Sequence, residues 1–168
     1  ISRYFSKIIE IISGEDNCSI VTPGPLIHKN GYINDKNNFH WKKEWEIPHL
    51  GIDKLKKILP EIAGSFYGNP SADLKLVGVT GTNGKTTSVH WLSSCLNRLG
   101  KKTGFIGTTG YGDGTNINPT KNTTPDILTI QKILRDFKEK NTSHIAMEVS
   151  SHAIDQGRID NLKFDIKL

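Results

Sequence analysis

The second half of this chain predicts an α/β domain, a parallel β-sheet covered by helices. Three observations predict it. Short apolar runs of strand length recur at Leu74 to Thr80, Thr103 to Gly107, His144 to Val149 and Phe164 to Leu168. Stretches with helical spacing of apolar residues separate them, and a glycine-rich turn joins the first strand to the first helix. Strands alternating with amphipathic helices favour a parallel sheet, because each crossover must return along the sheet's face.

Before these elements the sequence is less regular. The segment from Cys18 to His49 holds Pro23, Gly24, Pro25, Gly31 and an Asn/Lys-rich run, Asn34 to Asn38, with little periodicity. Ile52, Leu55, Ile58, Leu59, Ile62 and Phe66 have helical spacing, with Pro60 inside. Proline lacks the backbone donor and is expected to kink or divide that helix. Gly68-Asn69-Pro70 is the expected boundary between a first domain, residues 1–70, and a second, residues 71–168.

The helix Lys85 to Leu99 places Val89, Leu92, Leu96 and Leu99 on one face and is stopped by Gly100. A Gly/Asn loop follows the second strand as far as Lys121. Thr124-Pro125-Asp126 then opens a helix with proline in its first turn and Ile127, Ile130, Leu134 and Phe137 as its apolar face. Thr124 is a candidate cap for it. A doubly wound nucleotide-binding sheet has about five or more strands, so the sheet is expected to be incomplete and the chain truncated at Leu168.

Composition excludes several classes. Apolar residues are 35% and charged residues 23% of the 168, enough for a core. The net charge of +5 is spread over short pairs such as Lys42-Lys43, Lys56-Lys57 and Lys101-Lys102, whereas a nucleic-acid footprint gathers basic residues on one face. Cys18 and Cys95 stand far apart with no metal-binding spacing, which fits a reducing, cytoplasmic setting. Ile1 to Ser13 carries Arg3, Lys7 and Glu10, so no membrane segment is expected there. Trp41, Trp45 and Trp91 read as packing residues.

The turn after the first strand carries the chemistry. Gly81-Thr82-Asn83-Gly84-Lys85-Thr86-Thr87 lies between strand and helix, where a phosphate loop must lie. Glycines let successive backbone N–H groups point at phosphate oxygens, the helix N-terminus adds its positive dipole end, and Lys85 adds a full charge. The Thr86 hydroxyl is placed to meet Mg²⁺. The strict GxxxxGK[ST] pattern wants glycine where Val79 stands, and this chain has Gly81 instead. A turn that only connects strand to helix is the alternative; the placement of Gly84-Lys85-Thr86 favours ATP or GTP.

This variant resembles the signature of the Mur ligases and of their relative folylpolyglutamate synthase. Asn122-Thr123-Thr124-Pro125, and Met147-Glu148-Val149-Ser150-Ser151-His152-Ala153 with Gln156-Gly157-Arg158 after it, look like the MurE branch. With Ile62-Ala63-Gly64-Ser65-Phe66-Tyr67 the resemblance covers residues 62–168. It implies a cytoplasmic, monomeric ATP-dependent ligase of peptidoglycan synthesis. Such an enzyme adds L-lysine or meso-diaminopimelate to UDP-N-acetylmuramoyl-L-alanyl-D-glutamate (UDP-MurNAc-dipeptide) through an acyl phosphate. It also implies a small N-terminal α/β domain of UDP-sugar-binding type over 1–70, followed by an incomplete parallel-sheet P-loop nucleotide-binding domain. The Asp-Ser-Arg and Gly-Asp-Leu-Phe-like segments of that first domain are not found in the first 60 residues.

By the same resemblance Gly81, Thr82, Asn83, Gly84, Lys85, Thr86 and Thr87 bind ATP. Lys85 and Glu148 are the catalytic pair, and Thr86 and Glu148 hold Mg²⁺. Asn122, Thr123, Thr124, Ser150, Gln156 and Arg158 meet the UDP-sugar dipeptide. Read alone, Glu148 could equally be a strand-end carboxylate in an ion pair, and the polar residues could form turns and caps. His152 after two serines does not form a hydrolase arrangement, since no glycine elbow surrounds it. A folylpolyglutamate synthase-like ligase and a nucleotide-binding module without ligase activity are the alternatives.

Overall fold

The computed structural model describes residues 55–168, so the expectations for Cys18, for Trp41 and Trp45, and for most of a domain over 1–70 lie outside the described residues. The described residues belong, from Leu59 onward, to a unit that runs to Leu168.

Helix α1, Leu55–Tyr67, comes first and runs through Pro60 without dividing. Pro60 is the sixth residue of the helix, so its missing donor leaves one carbonyl of the first turn without its intrahelical partner, and the helix continues past that loss. The helix ends at Gly68 and Asn69, both left-handed with φ of 77° and 48°, and a 3₁₀ turn follows at Pro70–Ala72. Ala63 is fully buried, whereas Phe66, expected on the apolar face, is half exposed.

The sheet follows: β1 Lys75–Val79, β2 Thr103–Gly107, β3 Gly110–Gly112, β4 Ile117–Asn118, β5 His144–Glu148 and β6 Ile166–Lys167. Their order in space is β4-β3-β2-β5-β1-β6. The strands β2, β5, β1 and β6 run parallel, and β3 and β4 pair antiparallel at one edge. The fold is therefore mixed α/β with a mostly parallel sheet. The edge hairpin replaces the expected Gly/Asn loop. Gly110 and Gly114 adopt φ of 117° and 95°, and the Asp113 carboxylate accepts from the Thr115 and Asn116 backbone N–H groups, closing the turn.

Between these strands run α2, Lys85–Arg98, and α3, Ile127–Glu139; a short α4, Ser151–Asp155, follows β5. Alternation along each strand sends neighbouring side chains to opposite faces. Leu76, Ile106, Ile145 and Met147 pack with Ile130, Ile133, Leu134 and Phe137 of α3. Val79, Phe105 and Ala146 pack with Val89 and Leu92 of α2 on the other face. The route from β1 through α2 to β2 crosses the sheet one way, and the route through α3 to β5 crosses it back. Right-handed crossovers in opposite directions put the two helices on opposite faces.

Each fully buried aliphatic side chain here contributes about 1.5–3 kcal/mol, so Ile130, Leu134, Ile145 and Met147 anchor the α3 face. The expected α2 face holds through Val89, but Leu99 lies past the helix end at 74% exposure. Trp91 also departs from expectation: at 73% exposure it is not a core residue. It lies two residues past Val89, which on a helix is the opposite side from the sheet. Asp126, not Thr124, caps α3, accepting the Thr129 N–H at 3.0 Å. No helix among the described residues is long and apolar enough to cross a membrane.

Candidate active site at the carboxyl ends of the strands

Register brings the ends of β1 and β5 level, with Val79 opposite Glu148. Glu148 shares parity with Ala146 and so falls on the face that α2 covers. Five residues separate the end of β1 from the start of α2, and the first turn of α2 therefore stands at the same end of the sheet. Thr86 Oγ1 meets Glu148 Oε2 at 3.0 Å. This is the position where open α/β sheets present ligands.

The loop between β1 and α2 is exposed from Gly81 to Gly84. Gly81 and Gly84 hold φ of 129° and 79°, a region in which a side chain is strained. Gly84 also serves as N-cap of α2 with no side-chain cap, so the first N–H groups of the helix have no partner within it. An uncapped helix start of 14 residues with a lysine in its first turn suits an anion. Lys85 Nζ lies over the loop, donating to the carbonyls of Gly81 at 2.6 Å and Thr82 at 3.4 Å. Thr87 is exposed on the first turn.

Glu148 is 1% exposed, more enclosed than a strand-end residue need be. No cation pairs with it among the described residues; three donors hold it instead. Thr108 N–H reaches Oε1 at 2.8 Å, and the hydroxyls of Thr86 and Thr108 reach Oε2 at 3.0 and 3.1 Å. Gly107 packs directly on the carboxylate, where a Cβ would overlap Oε1. The ion-pair alternative for Glu148 thus has no partner here.

The donor set fits Mg²⁺. A carboxylate and a hydroxyl oxygen converge, both hard ligands, and Mg²⁺ is commonly held by one or two carboxylates with phosphate oxygens completing its shell. Among the described residues no three His, Cys, Asp or Glu side chains gather as a metal cluster, so a site for a soft or fully caged metal is not built there.

The remaining candidates form a second group beside the first. Thr124, 1% exposed, donates from Oγ1 to the Glu148 carbonyl at 2.9 Å and accepts the Ser150 N–H at 3.0 Å. Its hydroxyl is committed to the backbone. Ser150 caps α4 by accepting the Ala153 N–H. Arg158 donates to the Thr124 carbonyl at 2.8 Å and, through Nε and Nη2, to Gln156 Oε1. Asn122 is exposed, and its carbonyl accepts the Thr120 hydroxyl. Thr123 Oγ1 stands 3.0 Å from Thr108 Oγ1. His152 is exposed on α4, and Ser150 Oγ accepts the Ala153 N–H.

Two residues important to this arrangement escape sequence reading. Thr108, just past β2, grips Glu148 through both backbone and side chain. His90 holds the next residue, its Nε2 2.8 Å from Thr109 Oγ1, while its ring packs on Phe105. The signal available was the pair Thr108-Thr109 at a strand's carboxyl end, a position that gains meaning only once β2 is known to lie beside β5.

The chain resembles known proteins in sequence and fold. A profile described as the Mur ligase middle domain matches residues 79–168. UDP-N-acetylmuramoyl-L-alanyl-D-glutamate--2,6-diaminopimelate ligase of Nitrosomonas europaea is 42% identical over 137 residues, 82% of this chain and 26% of that protein. The enzyme of the same name from Pseudomonas putida is 46% identical over 121 residues, 72% of this chain and 24% of its own. A solved structure of such a ligase superposes with a TM-score of 0.58 at 28% identity, covering 66% of this chain and 23% of that one. The chain thus spans about a quarter of the length of the curated relatives it matches.

Proposed function

The chain belongs to the Mur ligase family, and from that premise we propose that it forms part of an ATP-dependent ligase that joins an amino acid to UDP-N-acetylmuramoyl-L-alanyl-D-glutamate. The observation that carries this reading is the meeting of Thr86 and Glu148 at 3.0 Å, beside the uncapped helix start that bears Lys85. The amine is meso-diaminopimelate or L-lysine, and the names of the relatives favour the former. The enzyme acts in the cytoplasm as a monomer.

A carboxylate is a poor electrophile, so amide formation needs it activated. Transfer of the γ-phosphoryl group of ATP to the D-glutamate carboxylate gives an acyl phosphate, and the incoming amine displaces phosphate from it. Little covalent chemistry falls to the protein; positioning and charge do the rest. The backbone N–H groups of Gly81 to Gly84 and the first turn of α2 receive phosphate oxygens, and Lys85 leaves the Gly81 carbonyl to oppose the charge that spreads over the transferring group. Thr86 and Glu148 would hold Mg²⁺, which would supply positive charge to offset that of the phosphate groups. Asn122, Thr123, Ser150, Gln156 and Arg158 orient the UDP-sugar dipeptide; Thr124 acts by fixing the backbone at Glu148 and Ser150.

The test uses the full-length protein. Phosphate release that requires ATP, UDP-MurNAc-L-Ala-D-Glu and one of the two diamino acids together is the expected result. Phosphate release with a folate acceptor instead would favour the folylpolyglutamate synthase-like alternative, and binding of ATP without turnover on either acceptor would favour a nucleotide-binding module.

A further inference from the structure

The two oxygens of Glu148 have unequal surroundings. Oε1 accepts the Thr108 N–H and lies against Gly107. Oε2 is shared by the hydroxyls of Thr86 and Thr108 at 3.0 and 3.1 Å. The same Thr108 hydroxyl lies 3.0 Å from Thr123 Oγ1. A hydroxyl carries one proton, so Thr108 can donate to Glu148 or to Thr123 but not to both. While it donates to Glu148, the contact with Thr123 is a hydrogen bond only if Thr123 donates to Thr108. Glu148, Thr108 and Thr123 therefore form a chain of three oxygens and two protons, and that chain has a direction.

We propose that Thr108 is a polarity relay that couples cation binding at Glu148 to recognition of the UDP-sugar dipeptide by Thr123. The proposal rests on the functional reading above for Glu148 and Thr123. A divalent cation on Oε2 repels the Thr108 hydroxyl proton, which rotates about its C–O bond to face Thr123 Oγ1. Thr123 can no longer donate to Thr108, and its own proton turns to a ligand oxygen. No covalent bond is made or broken. The three residues come from the end of β2, the segment before α3 and the end of β5, and the antiparallel turn at Thr108-Thr109, held to α2 by His90, fixes the middle member. Oε1 is held by a backbone N–H and Oε2 by hydroxyls, so Oε2 is the oxygen the relay reads.

Coupling of this kind is reciprocal: a ligand that accepts from Thr123 favours the state in which the cation is bound. In the full-length enzyme with a non-hydrolysable ATP analogue, Mn²⁺ binding is followed by the electron paramagnetic resonance signal of free Mn²⁺. Saturating UDP-MurNAc-L-Ala-D-Glu should tighten it by about fivefold or more. Thr108→Val keeps the backbone N–H on Oε1 and removes the hydroxyl, so each ligand should still bind while the coupling falls to within about twofold of none. Thr108→Ser should keep it. Wild-type binding of both ligands with no coupling, or undiminished coupling in Thr108→Val, overturns the relay. Should Thr108→Val not fold, Thr123→Val cuts the chain at its far end, and full coupling there overturns the relay equally. A wild-type enzyme that binds neither Mn²⁺-nucleotide nor the dipeptide instead overturns the functional reading itself.

Discussion

The hydroxyl of Thr124 accepts the backbone N–H of Ser150 at 3.0 Å while donating to the carbonyl of Glu148 at 2.9 Å. One buried side chain thereby fixes the end of β5 and the start of α4, the stretch from which Glu148 and Ser150 both project. Thr124→Val keeps the shape and strands two backbone groups. Leaving buried polar groups unpaired costs about 1–3 kcal/mol, and a loss of that size in the unfolding free energy, read as a lowered urea midpoint, is expected. An unchanged midpoint would mean that Thr124 serves the ligand and not the backbone.

Gly64 lies against two carboxamides. A Cβ there would stand 2.5 Å from Asn69 Oδ1 and 2.7 Å from Asn161 Nδ2, and Asn161 itself donates to the Pro60 carbonyl. Withdrawal of the Asn161 carboxamide breaks its bond to the Pro60 carbonyl. Gly64→Ala is expected to lose about 1–3 kcal/mol by overpacking, read as a lowered thermal midpoint.

Lys85→Ala in the full-length enzyme removes the charge opposing the transferring phosphoryl group. Removal of one such group costs roughly 10²- to 10³-fold in rate. The fold should be untouched, since Lys85 bonds only exposed loop carbonyls. Turnover near the wild-type rate would mean the loop has another role.

Glu148→Gln can keep an amide oxygen on the Thr108 N–H and point its NH₂ at the hydroxyls of Thr86 and Thr108, which can accept. Stability should change by no more than about 1 kcal/mol although the residue is buried. Activity should fall sharply and recover in part at raised Mg²⁺, because mass action offsets weaker binding. Full activity at low Mg²⁺ would remove the carboxylate from the metal's shell.

Asp113 gives a pH prediction. The Thr115 hydroxyl, then the Asn116 and Thr115 N–H groups, hold its carboxylate charged and lower its pKa from 3.8 to about 2. A depressed folded pKa means that the turn's contribution is present above the unfolded value and is lost as pH falls from about 4 toward 2. Carbon NMR of the Asp113 carboxyl should titrate near 2, and Thr115→Val should raise the midpoint toward the ordinary aspartate value. An ordinary midpoint in the wild type would mean the turn is not closed in solution.

What the sequence determined by itself is what local chemistry and periodicity encode. The strands Lys75–Val79, Thr103–Gly107 and His144–Glu148 fell where apolar runs placed them, and helices began after Gly84 and after Asp126. Glycines requiring positive φ at 81 and 84 marked the loop, because only backbone freedom of that kind allows the turn. The hairpin at β3 and β4 was not legible, since its strands are three and two residues long and carry no alternation to read. Tertiary structure alone decided which residues meet. Thr86 and Glu148 are 62 residues apart in sequence, and Thr108 is 40 from Glu148; nothing local relates them. Parallel pairing of β5 with both β1 and β2 puts all three at one end of the sheet. The same pairing turned Thr124 from a candidate helix cap into a backbone anchor, because its hydroxyl meets Glu148 at the end of β5 and Ser150 at the start of α4, not the helix it precedes.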